Sequence, residues 1–244
     1  MFPILFQFSG FTLYTQTVFL FLAFVVGLLI AVYEGKRLAI ARFELTNIIL
    51  SGFISAIFGA RLLFLLIHWN PATLTLKHIC VLGAKDGGFA FHGGLFAGGI
   101  ACFLAARYYK FPAWRLADVL APGLAGAMFC MRLGCLCNGC DYGVVTTMPW
   151  GIPLYGASRH PIQLYEGVGN LVLLPWLIAS NRKPRQPGLT FLLYLFWSGL
   201  IRFGVDFYRE DSARVWNLLT IPQLLALGMA IAAAMMLSRK IISP

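Results

Sequence analysis

Seven long apolar stretches constrain this chain more than any other feature of its sequence. They lie at 13–33, 46–68, 90–108, 116–134, 163–180, 188–206 and 219–238. Each is at or near the roughly 17–25 residues that an α-helix needs to cross a bilayer. Because 59% of the 244 residues are apolar and only 11% are charged, a water-soluble domain would have to expose apolar surface. The sequence therefore predicts an all-α integral membrane protein of about seven transmembrane helices, with a single domain over 1–244.

The lysines and arginines are concentrated in alternate loops between these stretches. Eleven of the 19 fall at 36–42, 107–115, 182–185 and 239–240, on one side of the predicted bundle. Since cytoplasmic loops carry the excess of Lys and Arg, we expect the N-terminus outside and the C-terminus in the cytoplasm. The net charge of +10 is then a topology signal with some attraction to anionic phospholipid, and no nucleic-acid partner is predicted.

Several ionisable side chains fall inside or at the ends of the predicted spans. They are Arg61, His92, Asp118, Arg132, Glu166, Arg202 and Asp206. Charges at membrane depth are costly, so such residues are functional candidates. Four spans carry them toward the outer half, which predicts one outward-facing site, whereas Asp118 lies near the inner end and is expected to be structural. An ion pair that only fixes the register of two helices is the alternative.

Residues 131–143, MRLGCLCNGCDYG, contain three cysteines at the end of an apolar stretch. Cys135, Cys137 and Cys140 have the spacing C-x-C-x-x-C, but no fourth metal ligand lies nearby, so no metal is predicted. A disulfide, a reactive thiol and a small apolar filler all remain open interpretations.

A series of short motifs, in their order along the chain, resembles the prolipoprotein diacylglyceryl transferases. The motifs are GARL at 59–62, FHGG at 91–94, DVLAP at 118–122, MPWG at 148–151, RHPIQLYEG at 159–167, RFGVDFYRED at 202–211 and LTIPQ at 219–223. The resemblance implies a multi-pass enzyme of the bacterial inner (cytoplasmic) membrane with its active site toward the outer face. Such an enzyme transfers the diacylglyceryl group of phosphatidylglycerol, or a related phospholipid, to the cysteine thiol of a lipoprotein precursor and releases glycerol phosphate. No cofactor is predicted.

The resemblance also implies roles for individual residues. His92 matches the family's histidine and is expected to be the base that activates the acceptor thiol. Arg132 and Arg202 match two arginines that would bind the donor phosphate, for which guanidinium groups are well suited. The residues expected to bind substrate are Tyr14, Asn138, Gly143, Glu166, Asp206 and Arg209. On a continuous helix Arg202, Asp206 and Arg209 would share one face.

The chain departs from the family's signature, which reads roughly G-R-x-G-N-F-x-N-x-E-x-x-G. Met131 stands for the first glycine, Cys135 for the first asparagine, Leu136 for phenylalanine and Cys140 for glutamate, and Asp206 stands where glutamate is usual. A thiol near Arg132 would be a stronger nucleophile, so Cys135 and Cys140 are candidate catalytic residues. Asp141 would have to replace the missing carboxylate, but a shift of one residue on a short turn is expected to point it elsewhere.

These departures leave three kinds of function open. The first is a lipid transferase, acting on a lipoprotein precursor or on another thiol or hydroxyl acceptor. The second is a non-catalytic protein that binds phospholipid through its arginines. The third is a thiol-redox or metal-binding membrane protein that uses its cysteines.

Overall fold

A computed structural model describes residues 3–8, 11–37, 40–67, 90–182, 186–211, 214–215 and 218–242. In these ranges it contains seven α-helices: α1 Thr15–Arg37, α2 Arg42–Ile67, α3 Phe91–Tyr108, α4 Ala113–Asn138, α5 Ile162–Asn181, α6 Leu189–Val205 and α7 Ile221–Ile242. All except α3 are long and apolar enough to cross a membrane. In α3, His92 and four glycines lower the apolar content. The prediction of an all-α, multi-pass membrane protein is confirmed.

Within the described ranges, three short antiparallel strand pairs accompany the helices, and the sequence analysis did not predict them. They are β1 Ile4–Phe8 with β2 Phe11–Tyr14, β3 Ile152–Leu154 with β4 Ala157–Arg159, and β5 Arg214–Val215 with β6 Leu219–Thr220. The first predicted span began two residues too early, because Leu13 and Tyr14 belong to β2 and α1 begins at Thr15. Between β3 and β4, Tyr155 and Gly156 have φ values of 50° and 78°, as a two-residue hairpin turn of type I′ requires.

The chain divides into two compact units, and each is described by itself. The larger comprises Met1–Glu34 and Ala117–Pro244, and the smaller comprises Gly35–Leu116. The single domain over 1–244 stays a prediction.

In the smaller unit, α2 and α3 pack through glycines. A Cβ atom on Gly59 would lie 2.6 Å from the carbonyl oxygen of Gly93, and one on Gly94 would lie 3.1 Å from that of Ala56. Glycine at these positions therefore lets the two backbones approach closely, as small residues do between membrane helices. The GG-rich start of α3 thus has a packing role.

In the larger unit, the apolar core joins α4, α5 and α6. Its buried residues are Ala121, Ala125, Leu173, Leu177 and Tyr194. At one end of this core the carboxylate of Asp118 accepts hydrogen bonds from the backbone N–H groups of Gly188 and Phe191, at 2.6 and 2.9 Å. These N–H groups open α6, which has no side-chain cap of its own at Gly188. Asp118 therefore caps a neighbouring helix, in keeping with the structural role expected for it.

Candidate functional site

Three arginines and three carboxylates form a ring of alternating charge in the larger unit. Its members are Arg132 from α4, Asp141 from the turn after α4, Glu166 from α5, Arg202 from α6, Asp206 from the 3₁₀ turn Asp206–Tyr208, and Arg209 just beyond that turn. The ring brings together five of the residues that the sequence analysis proposed, and it adds Asp141.

Glu166 links the two arginines expected to bind phosphate. Its Oε1 lies 2.9 Å from Nη2 of Arg132, and its Oε2 lies 2.7 Å from Nη1 of Arg202. The Glu166 side chain is only 6% exposed. Hydrogen bonds between such charged groups are stronger than neutral ones, so Glu166 joins α5 to α4 through Arg132 and to α6 through Arg202.

Two aspartates complete the ring on its other side. Asp141 lies 2.5 Å from Nη1 of Arg132 through Oδ2, and its Oδ1 accepts a hydrogen bond from Nη2 of Arg209. Asp206 is nearly fully buried, and its Oδ1 lies 3.6 Å from both Nη2 of Arg202 and Nη1 of Arg209. The ring is therefore closed and formally neutral, while Asp211 pairs with Arg209 from outside it, at 2.5 Å.

The end of α6 positions two of these residues differently from the prediction. The helix stops at Val205, the 3₁₀ turn follows, and the Arg209 backbone is extended, with φ −85° and ψ 135°. Arg202 and Asp206 do pair one helical turn apart. Arg209 does not continue a helical face, but it returns to Asp206 across the turn.

The residues at the beginning of α7 form a hydrogen bond to Asp206. Thr220 and Gln223 form a capping box, in which Oγ1 of Thr220 accepts from the Gln223 N–H at 3.2 Å and Oε1 of Gln223 accepts from the Thr220 N–H at 2.9 Å. The Thr220 hydroxyl also donates to Oδ2 of Asp206. Our sequence reasoning missed this support, although the Thr-x-x-Gln spacing before an apolar run is a recognisable signal.

The turn after α4 is where the sequence expectation was wrong. Asp141 points toward Arg132 and Arg209, because its backbone adopts a left-handed conformation with φ 54°. Aspartate tolerates this conformation better than most residues. Burial alone would raise the pKa of Asp141, but the charges of Arg209 and Arg132 outweigh it and lower the pKa below its usual value. Asp141 is therefore ionised at neutral pH.

A backbone bridge fixes this turn against the segment that follows α6. Gly143 pairs with Arg209 in an antiparallel bridge, and the Val144 N–H donates to the Tyr208 carbonyl at 2.8 Å. A Cβ atom on Gly143 would lie 2.8 Å from Cβ of His160, so the position has room only for glycine. The bridge holds Asp141 and Arg209 at adjacent positions.

Cys135 and Cys140 lie at and just beyond the end of α4, close to Arg132 and Asp141 in the sequence. Sγ of Cys140 is 3.6 Å from the carbonyl oxygen of Cys135, at the end of α4. A hydrogen bond from the Cys135 thiol lowers the pKa of Cys140 to about 7, against the opposing effect of burial. The five cysteines in the described ranges, Cys102, Cys130, Cys135, Cys137 and Cys140, are free thiols.

The remaining predicted residues occupy separate positions. Tyr14 ends β2 and is half-buried, and the Asn138 amide, at the last residue of α4, donates to Oε1 of Gln16 at 2.9 Å. His92 is the second residue of α3, with an exposed side chain, and it belongs to the smaller unit.

Arg159 is a further, partly buried cation to which the sequence analysis assigned no role. It pairs with Glu210, donates to the Gly143 carbonyl at 3.2 Å, and lies 4.9 Å from the ring centroid of Tyr142. It also donates from Nε to the Leu154 carbonyl at 3.2 Å, so it joins the β3–β4 hairpin to the segments that carry Asp141 and Arg209. The RHP triplet that begins at Arg159 was visible in the sequence, but its partners are far away along the chain.

The ring can bind an anion only by exchanging partners. Each guanidinium already contacts two carboxylates of the ring. Arg202 is the most exposed of the three arginines, at 20%, and its contact to Asp206 is long. A phosphate group has the same acceptor geometry as a carboxylate, so it can replace one in a guanidinium fork. The arrangement is suited to a phosphate ester that enters from the side of Arg202.

Comparison with known proteins gives a consistent result. The family profile described as prolipoprotein diacylglyceryl transferase matches residues 3–239. A phosphatidylglycerol–prolipoprotein diacylglyceryl transferase of Geobacter sulfurreducens is 34% identical over 91% of this chain and 92% of its own length. Proteins of the same name from Wolbachia of Brugia malayi and from Rhizobium leguminosarum are 32% and 31% identical, over 86% and 88% of this chain and 85% and 83% of their own lengths. The chain belongs to the prolipoprotein diacylglyceryl transferase family.

Proposed function

We propose that this protein transfers the diacylglyceryl group of phosphatidylglycerol to the lipobox cysteine of a prolipoprotein and releases glycerol phosphate. The observation that carries the proposal is the buried ring in which Glu166 holds Arg132 and Arg202 together. Relatives that align with most of the chain bear the name of this activity.

In this reaction the sulfur of the acceptor cysteine attacks the glyceryl carbon that carries the phosphate ester. A carbon–sulfur bond forms, the carbon–oxygen bond to phosphate breaks, and its electron pair leaves with the glycerol phosphate. Arg132 and Arg202 bind the phosphate and stabilise the charge that develops on the leaving oxygen. His92 takes the proton of the acceptor thiol.

Other residues complete the proposed site. Glu166, Asp206 and Arg209 orient Arg132 and Arg202 through the ring, and Tyr14, Asn138 and Gly143 bind the substrates. Cys140, with its lowered pKa, is the alternative nucleophile of this chain, whereas Cys135 is buried and keeps its proton as the donor to Cys140. Replacing each with serine tests them, because a covalent role predicts loss of turnover and a packing role does not.

The site faces the outer side of the bacterial inner membrane in this proposal. The support is the excess of lysine and arginine in the loops expected to be cytoplasmic. A fluorescent protein fused to the C-terminus should fluoresce and a C-terminal alkaline phosphatase fusion should be inactive. The opposite pair of results would place the C-terminus outside and refute the orientation.

The activity is tested with the purified protein in detergent, phosphatidylglycerol and a peptide that carries a lipobox cysteine. Release of glycerol phosphate and the mass of the peptide are followed together, with His92→Gln and Arg202→Gln as variants. Glu210→Gln is the matched control, because Glu210 is charged and partly exposed but pairs with Arg159 outside the ring. We expect release coupled to a diacylglyceryl mass gain, which both variants lose and the control keeps.

Two other outcomes would redirect the assignment. Release without a change in peptide mass would identify water or another thiol or hydroxyl as the acceptor. Lipid binding without release would favour a phospholipid-binding protein, an alternative suggested by the cysteines at 135 and 140, where the resemblance implies asparagine and glutamate.

A further inference from the structure

The substitution at Cys140 removes a carboxylate from the family's signature, and the structure shows what takes its place. The Cys140 thiol lies against the Cys135 carbonyl, and the Cys140 carbonyl accepts a hydrogen bond from Nε2 of Gln163 at 2.8 Å. The counter-ion of Arg132 on this side is the next residue, Asp141, at 2.5 Å.

A change of backbone direction at this turn lets the side chain at position 141, and not the one at position 140, reach Arg132. Gly139 and Asp141 have φ values of 77° and 54°, so the chain turns through left-handed conformations on both sides of Cys140. The turn is held from several directions. The Tyr155 hydroxyl donates to the Gly139 carbonyl at 3.2 Å, and Gly143 is bridged to Arg209. The position of Asp141 is therefore imposed by the fold around it.

Asp141 also makes a contact that links two arginines. Its two oxygens are divided between Arg132 and Arg209, so one carboxylate orients both guanidinium groups. In the described residues the Nη atoms of Arg132 are taken up by Asp141 and Glu166, and its buried Nε has no hydrogen-bond partner. Without Asp141, Arg132 would lose one of the two carboxylates that fix the plane of its guanidinium group.

We propose that Asp141 is the positioning carboxylate of this chain, displaced by one residue from the family's glutamate, and that it holds Arg132 and Arg209 ready for the donor phosphate. This inference rests on the proposed function, because it concerns the binding of the same phospholipid. It assigns a role to a residue that lies outside the family's signature positions.

The test compares four variants in the transfer assay: Asp141→Asn, Asp141→Glu, the double variant Cys140→Glu with Asp141→Asn, and Asp211→Asn. Asp211→Asn is the matched control, because Asp211 is equally exposed, at 24% against 23%, and pairs with Arg209 from outside the ring. We expect Asp141→Asn to raise the KM for phosphatidylglycerol about 10- to 100-fold, the range for losing a hydrogen bond to a charged group. The control should stay within about threefold of wild type, because Asp211 does not pair with Arg132 and Arg209 keeps Asp141 and Asp206 without it.

These two variants separate positioning from folding. Asp141→Glu keeps a carboxylate beside both arginines, so its KM should return close to that of the wild type. The double variant moves the carboxylate to position 140, where the side chain lies against the Cys135 carbonyl, so its KM should stay high. A merely structural role predicts instead that Asp141→Asn lowers the thermal midpoint and the amount of folded protein without a selective rise in KM. That result, or a KM for Asp141→Asn equal to that of Asp211→Asn, would overturn the proposal.

A binding measurement distinguishes this proposal from the proposed function. Phosphatidylglycerol, compared with phosphatidylcholine at the same concentration, should raise the thermal midpoint of the wild type and of Asp211→Asn in detergent. It should raise that of Asp141→Asn much less. If no variant transfers lipid but this difference is present, the proposed function fails and the role of Asp141 stands. If transfer occurs and the difference is absent, the role of Asp141 fails alone.

Discussion

Glu166 is the residue whose replacement gives the most direct test of the ring. Glu166→Gln keeps the shape of the side chain but removes the charge that Arg132 and Arg202 share, at 2.9 and 2.7 Å. Breaking a buried ion pair by removing one partner costs about 3–5 kcal/mol, since a charge stays buried without compensation. Arg132 keeps Asp141, whereas Arg202 keeps only the long contact to Asp206, so we expect a loss near the lower end, about 3 kcal/mol.

This loss can be measured as a change in the thermal midpoint. For chains of this length 1 kcal/mol corresponds to about 2–4 °C, so the midpoint in detergent should fall by roughly 6–12 °C. Loss of tryptophan fluorescence or of the monodisperse chromatographic peak on heating would report it. Glu210→Gln is the control, because Glu210 is 43% exposed and a surface pair contributes at most about 1 kcal/mol. Equal midpoints for the two variants would refute the reasoning that the ring is a buried, coupled unit.

Three further predictions concern the helix cap, the helix contact and the reactive thiol. Asp118→Ala should lower stability by about 0.5–2 kcal/mol, the usual cost of removing a helix cap, as measured by the thermal midpoint; an unchanged midpoint would exclude the capping role. Gly59→Ala should destabilise the contact of α2 with α3 by about 1–3 kcal/mol, because the new methyl group meets backbone, whereas Gly99→Ala, with open space around it, should not. Maleimide labelling of Cys140 should reach half its maximal rate near pH 7, because a lowered pKa places more thiolate at neutral pH; a rate that still rises steeply above pH 8.5 would contradict this.

The helices were predictable because their signal is local. A stretch of about 20 apolar residues can satisfy its backbone in a membrane only as a helix, whatever the rest of the chain does. The predicted span 163–180 thus corresponds to α5 at Ile162–Asn181, and 188–206 corresponds to α6 at Leu189–Val205. The errors lie at helix ends, where short polar contacts and turns decide the boundary, as at Thr15.

Part of the ring was also predictable, for a different reason. A charge in an apolar span needs a partner, so Arg132, Glu166 and Arg202 could be expected to meet although they lie on three helices. The sequence could not predict which arginine pairs with which carboxylate, because this depends on how α4, α5 and α6 are rotated about their axes. The contribution of Thr220 depends on the start of a fourth helix, α7, that follows a loop.

Asp141 shows the limit of reading the signature position by position. Alignment with the family's pattern compares Cys140 with a glutamate, and on that comparison the carboxylate is lost. The backbone at Gly139 and Asp141 is left-handed, so the neighbouring residue turns toward Arg132 and the charge is restored. A sequence comparison pairs residues by their position in the chain. The ring requires only that a carboxylate reach the guanidinium group of Arg132, whichever position carries it. In this buried ring the charge balance is kept although position 140 carries no carboxylate. A donor phosphate that enters from the side of Arg202 would replace the long contact of Asp206, while Asp141 would stay paired with Arg132 and Arg209.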